Sequence, residues 1–167
     1  MDELISDEEL VTRFPGHTLT RDNAAHYRGR LAHRLVINRC GDCGTWRHPP
    51  KPVCPACWSW NIVPTEVSGQ GSIFMTVFLH QGPPAEGVDY ATPHPVVTVA
   101  LDEQEGLRFT STVVGAVGDA IRIAERVELD WIERSGTPLP VFRLASTTAG
   151  SSAAGTSASA AVTEAGR

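Results

Sequence analysis

The chain's cysteines are Cys40, Cys43, Cys54 and Cys57, two Cys-x-x-Cys pairs with ten residues between them and none left over. Four thiolates delivered by two tight turns suit tetrahedral zinc, with Zn–S bonds of about 2.3 Å. The neighbouring residues fit such turns. Gly41 and Gly44 let backbone amides approach the sulfurs of the first pair, and Pro55 stiffens the second. A redox dithiol needs one pair between a strand and a helix and has no use for a second pair. Two disulfides suit an oxidising compartment, and the acidic start lacks the basic and apolar regions of a secretory signal. The expectation is a closed, structural zinc site using all four thiolates.

That assignment leaves no cysteine nucleophile. The six histidines, His17, His26, His33, His48, His80 and His94, show no His-Glu-x-x-His or other catalytic spacing and read as surface or hydrogen-bonded structural residues. Gly69-Gln-Gly71 is too short for a dinucleotide or phosphate loop and reads as a hairpin or bulge. The serines crowd the last residues, where nothing holds an oxyanion. The chemistry of this chain is therefore expected to be binding.

The elements that must present these residues change period along the chain. Leu4 to Phe14 reads as a short helix stopped by Pro15-Gly16. Thr20 to Leu35 reads as a longer one, capped by Thr20 or Asp22, with Ala24, Tyr27, Leu31 and Leu35 at helical spacing. Leu35 to Arg39 is a strand into the first knuckle, and the prolines of Trp46 to Val53 keep the link between knuckles extended. Ile62 to Val67 is a strand. Five more follow the glycine turn: Ser72 to His80, Val96 to Leu101, Leu107 to Val114, Val127 to Glu133 and Val141 to Leu144. Phe74, Phe78, Phe109 and Trp131 lie in them and are read first as core. Five strands with one crossover at Gly115 to Glu125 match an OB-fold barrel better than a seven-stranded sandwich. The fold class is mainly β: a helical segment over 1–34, a rubredoxin-like zinc ribbon over 35–67 and a five-stranded OB-fold barrel over 68–144. From Ala145 onward, 20 of 23 residues are Ala, Ser, Thr or Gly, and a flexible tail is expected.

Charge narrows the partners. The net charge is −5, and from Gln70 to Leu144 five basic residues face ten acids. A single-stranded nucleic-acid or tRNA binder of OB type is the rival reading, and a groove for a polyanion should not be acidic. Basic charge is local: Arg28, Arg30, Arg34, Arg39, Arg47 and Lys51 stand against Asp42 alone. No apolar run is long enough to span a bilayer, and a cytoplasmic location is expected.

Taken in order, several motifs carry a resemblance: Arg39-Cys-Gly-Asp-Cys-Gly44, Arg47-His-Pro-Pro50, Val53-Cys-Pro-Ala-Cys57, the Gly69–Gly71 turn before Phe74 and Val77, and the closing Pro138-Leu-Pro-Val-Phe-Arg143. From about Thr20 to Leu144 the chain resembles the acyl-CoA-associated zinc-ribbon and OB-fold family, also called domain of unknown function thirty-five. It departs from that pattern at His26-Tyr27, where an aromatic pair is frequent, and at Arg122-Ile-Ala124, where Ile-Gly is common. The resemblance implies a non-catalytic accessory subunit in a hetero-oligomer. Its partner would be a thiolase-fold enzyme (a thiolase, a hydroxymethylglutaryl-CoA synthase or a sterol side-chain aldolase) or an acyl-CoA hydratase. Barrel and loops would shape an acyl-CoA channel, and the catalytic residues would lie on the partner.

The residues available for such contacts are the arginines, above all Arg28, Arg39 and Arg47, whose guanidinium groups can fork a phosphate or meet an acidic surface, or simply balance the acidic start. Trp46, Trp58 and Trp60 either cover a ribbon too small for its own core or anchor an interface. The sixteen residues from His80 to Pro95 have no helix or strand pattern, a length that points to a recognition loop. His80 opens it, and Tyr90, its sole aromatic residue, packs the loop or touches a partner or substrate.

Overall fold

The computed structural model describes residues 5–145. The expected tail beyond Ala145 lies outside the described residues.

Ser6 caps helix α1 (Asp7–Arg13), its hydroxyl accepting from the Glu9 N–H at 3.2 Å. Asp7, Glu8 and Glu9 fill the first turn, where the helix dipole favours negative charge. Helix α2 (Ala24–Leu31) is shorter than the periodicity suggests. Neither Thr20 nor Asp22 caps it. Asn23 takes that position, and its side-chain oxygen turns back to accept from the Thr20 N–H at 2.7 Å. At the far end His33 adopts a left-handed φ of 53°, its N–H bonds the Arg30 carbonyl at 2.9 Å, and the Arg34 N–H bonds the Gly29 carbonyl at 2.8 Å. This Schellman closure ends the helix before Leu35 and releases that residue into the core.

A three-stranded antiparallel sheet follows, ordered β2-β1-β3, from β1 (Val36–Cys40), β2 (Trp46–Arg47) and β3 (Ile62–Glu66). The second sheet runs β6-β5-β4-β7-β8, from β4 (Gln70–Leu79), β5 (His94–Leu101), β6 (Arg108–Ser111), β7 (Arg126–Arg134) and β8 (Thr137–Leu144). Its crossover holds a single 3-10 turn at Gly118–Ala120. The residues after β6 close the curl: Phe142 donates to the Thr112 carbonyl, and Val114 to the Phe142 carbonyl, each at 2.9 Å. The result is the partly open barrel of an OB fold.

The glycine turn has a packing reason. At Gly71 the chain passes so close to β5 that an added Cβ would lie 2.5 Å from the Ala100 carbonyl oxygen. Just beyond, a bulge between Ile73 and Met75 shifts the register and turns Phe74 outward. Phe74 is 45% exposed, under the Arg108 guanidinium 3.5 Å from its ring centre, so its assignment to the core is corrected. Phe109 is buried, and Phe78 and Trp131 pack half-buried against the core.

One apolar cluster spans both sheets: Leu35 and Ile37 from the β1 side join Val97, Val99, Phe109, Val127 and Phe142 of the barrel. Arg30 pins α2 across this seam. It is buried, lies over the Phe14 ring, and donates through Nε (3.0 Å) and Nη2 (2.8 Å) to the Pro138 carbonyl. That position removes it from the group of phosphate-binding candidates. Among the described residues no helix is long and apolar enough to cross a membrane.

Candidate metal centre and contact surface

The four cysteine sulfurs come from two turns of the same design. In the first, the Cys40 N–H donates to the Thr45 carbonyl at 2.8 Å and the Gly44 N–H to the Cys40 carbonyl at 2.9 Å. In the second, the Cys54 N–H donates to the Ser59 carbonyl at 2.9 Å and the Trp58 N–H to the Cys54 carbonyl at 3.0 Å. The fifth residue of each turn is left-handed: Gly44 at φ 76° and Trp58 at φ 60°. The sulfurs lie within 4.8 Å of one another, with Cys40–Cys57 and Cys43–Cys54 each at 3.6 Å. Tetrahedral bonds of about 2.3 Å require sulfur separations of about 3.8 Å, so the set fits zinc.

Electrostatics agree. Backbone N–H groups of Cys43 and Asp42 lower the Cys40 thiol, and the Thr45 hydroxyl draws Cys43 down to about 6. At Cys57 the Ser59 N–H favours the thiolate, yet Cys43 and the other crowded sulfurs push it up to about 12. Each new negative charge makes the next costlier, and a divalent cation relieves that cost. Asp42 clasps the two knuckles, its carboxylate accepting from the Ser59 hydroxyl and from Asn61 Nδ2, the latter at 2.7 Å. Those two bonds hold the Asp42 carboxyl below its ordinary range. Its place between the first two cysteines was visible in the sequence, but its partners across the ribbon were not.

The candidate contact residues separate into two groups. Arg28 is engaged within the chain, pairing with Asp7 and donating to the Ile5 carbonyl at 3.2 Å. Arg39 is exposed, with its guanidinium 5.5 Å from the Trp46 ring and Nε donating to the Gly44 carbonyl at 3.2 Å. Arg47 Nε is buried without an acceptor. Trp46 packs half-buried on the common core, and its N–H donates to Gln104 Oε1 at 2.8 Å, tying β2 to the barrel. Trp58 and Trp60 cover nothing: they are 78% and 75% exposed.

His80 is exposed at the end of β4. Because β5 reaches back to His94, the irregular loop is shorter than expected and ends before that residue. Tyr90 lies over Gly82 and its hydroxyl donates to the Pro83 carbonyl at 3.2 Å, folding the loop on itself. Glu86 accepts from the Ser135 N–H at 2.6 Å and moors it to the β7–β8 turn. His26 Nδ1 bonds the Val36 carbonyl at 3.0 Å, and burial followed by the nearby His26 lowers His48 to about 4. Both sit in the seam with Phe109, as structural histidines.

A two-knuckle zinc ribbon continued into an OB barrel defines a class of small two-module proteins. Within that class, residues 28–62 match the family model described as ChsH2, rubredoxin-like zinc ribbon domain, and residues 64–131 match ChsH2, C-terminal OB-fold domain. The solved structure described as Ltp2-ChsH2(DUF35) aldolase is 38% identical, with a TM-score of 0.68 over 77% of this chain and 98% of that one. The chain belongs to the ChsH2/DUF35 family. A DUF35-family protein of unknown function from Sulfolobus solfataricus, 14% identical with a TM-score of 0.50 over 73% of this chain and 87% of that one, shares the fold. A probable enoyl-CoA hydratase alpha subunit of Thermomonospora curvata is 39% identical over 131 residues, 77% of this chain and 39% of that protein. A DUF35 domain-containing scaffold protein of Pyrococcus furiosus is 35% identical over 78 residues, 47% of this chain. The chain spans only 39% and 54% of the length of these two curated relatives.

Proposed function

We propose that this chain is a non-catalytic accessory subunit in the cytoplasm that binds a thiolase-fold enzyme and helps form its acyl-CoA channel. The partner reaction would be a retro-aldol cleavage of a sterol side chain or a thiolase step. The observation that carries the reading is Trp58. A bulky residue in a left-handed turn costs about 1–2 kcal/mol relative to glycine, and glycine occupies the matching place in the first knuckle. With 78% of Trp58 exposed, burial inside this chain does not offset that cost. Exposed tryptophan held in a strained but rigid turn suits an interface anchor, and Trp60 and Arg39 stand on the same ribbon.

The relatives support the same direction. One is described as an aldolase with Ltp2, others as scaffold proteins, and one as a hydratase subunit. The acidic barrel speaks against the nucleic-acid alternative. Co-expression with a thiolase-fold enzyme from the same genome tests the reading. A stable complex that Trp58→Gly weakens supports it, and turnover of acyl-CoA thioesters by this chain alone overturns it.

A further inference from the structure

Two of the barrel's arginines are ion-paired, two rest on a backbone carbonyl or a ring, and the fifth has neither. Arg126 forms a two-bond pair with Asp102, Arg143 pairs with Asp130, Arg122 Nε donates to the Asp119 carbonyl at 2.7 Å, and Arg108 lies over Phe74. Arg134 joins none of the ion pairs among the described residues, and its Nε is buried without an acceptor. A buried guanidinium nitrogen without an acceptor is costly unless water or a ligand meets it.

Arg134 lines a cleft of about 370 Å³. The long β4–β5 loop forms one wall, the segment that closes the barrel after β6 a second, and the end of β7 a third. Val113, Val117 and Ile132 make it apolar, and Val117 is 69% exposed at its edge. The other titratable residues lining it are His94 and Asp89. Burial and then the Arg134 charge lower the His94 imidazole below its ordinary range. Asp89 accepts from the Ala91 N–H at 2.9 Å, and Glu86 is occupied with Ser135.

We propose that this cleft binds a small aliphatic carboxylate, with the carboxylate on Arg134 and the hydrocarbon against Val113, Val117 and Ile132. Arg134 is the one arginine or lysine in the lining and matches a single negative charge, and Asp89 disfavours a phosphate dianion. The volume falls in the range of about 300–1,000 Å³ usual for small-molecule sites, and apolar walls with few polar groups are their usual lining. The lining comes entirely from this chain, so the inference goes beyond the accessory role, and its failure would leave that role untouched.

The test uses the full chain with octanoate as probe, followed by calorimetry and by the histidine ring resonances at pH 7. Octanoate should saturate one site, with octanol and inorganic phosphate each weaker by about tenfold or more. Arg134→Gln should weaken octanoate by a similar factor while Arg122→Gln leaves it unchanged. The His94 ring should shift at saturation and the His80 ring should not. If Arg134→Gln fails to fold, Val117→Asp at the exposed edge decides, and it should also weaken octanoate while keeping one zinc per chain. Equal affinity for octanol and octanoate, binding unaffected by the decisive variant, or no saturation by about 10 mM would overturn the proposal.

Discussion

The two sheets share one apolar cluster and are nevertheless held by different forces. In the barrel every strand contributes buried side chains, and residues such as Val97, Val99, Val127 and Phe142 are fully enclosed. At the knuckle end of the ribbon the buried apolar residues are Cys40 and Cys54, while Trp58 and Trp60 face solvent. Metal coordination does there what burial does in the barrel. A region held by a metal can expose large aromatic residues without unfolding, so its surface is free to be selected for contact.

The sharpest way to break this comparison is to remove the metal. Structural zinc contributes an apparent 10–16 kcal/mol or so in small zinc peptides. Chelation, or Cys54→Ser, should release one zinc per chain and strip hydrogen-exchange protection from β1–β3 while β4–β8 keep theirs. Simultaneous loss in both sheets would show that one force holds them. Phe142→Ala is the converse experiment. It should cost about 3–5 kcal/mol, read from denaturant midpoints, without altering zinc content in the folded chain.

The seam between the sheets responds to pH. Burial and then the nearby His26 push the His48 imidazole down from its ordinary 6.5 to about 4. Between those values the unfolded chain takes up a proton that the folded chain refuses. Stability is therefore full near pH 7 and falls as pH drops from 6.5 toward 4, by about 3 kcal/mol at most. His26, also lowered chiefly by burial, acts in the same direction. His48→Phe should flatten the slope between pH 6.5 and 5 in urea titrations, with zinc content checked at each pH.

The smallest effects separate the two regions most cleanly. Trp58 in the ribbon and Ala124 in the barrel both hold left-handed φ angles, 60° and 70°. Replacing either with glycine should stabilise the chain by about 1 kcal/mol, seen as a higher thermal midpoint. Only Trp58→Gly should lower affinity for the partner enzyme, by tenfold or more.

Much of this was legible in the residues. Paired cysteines at short spacing fix a metal site because ligand count and turn geometry are local. Strand periodicity and turn residues likewise marked all five barrel strands. The misreadings came from non-local geometry. Helical spacing included Leu35, but the His33 turn cut the helix and gave that residue to the core. Alternation placed Phe74 inside, and a bulge reversed it. Arg30 looked like its neighbouring arginines until Pro138, 108 positions away, supplied its acceptor. The lone charge of Arg134 was equally hidden, because whether an arginine is paired depends on contacts that no short stretch of sequence records.

The accessory role is tested most directly by reconstitution. Acyl-CoA turnover would be measured for this chain alone, for a thiolase-fold enzyme from the same genome alone, and for the two together. An accessory subunit should give no turnover by this chain, weak turnover or poor stability for the enzyme alone, and full turnover from a stable complex. Turnover by this chain without any partner would contradict it.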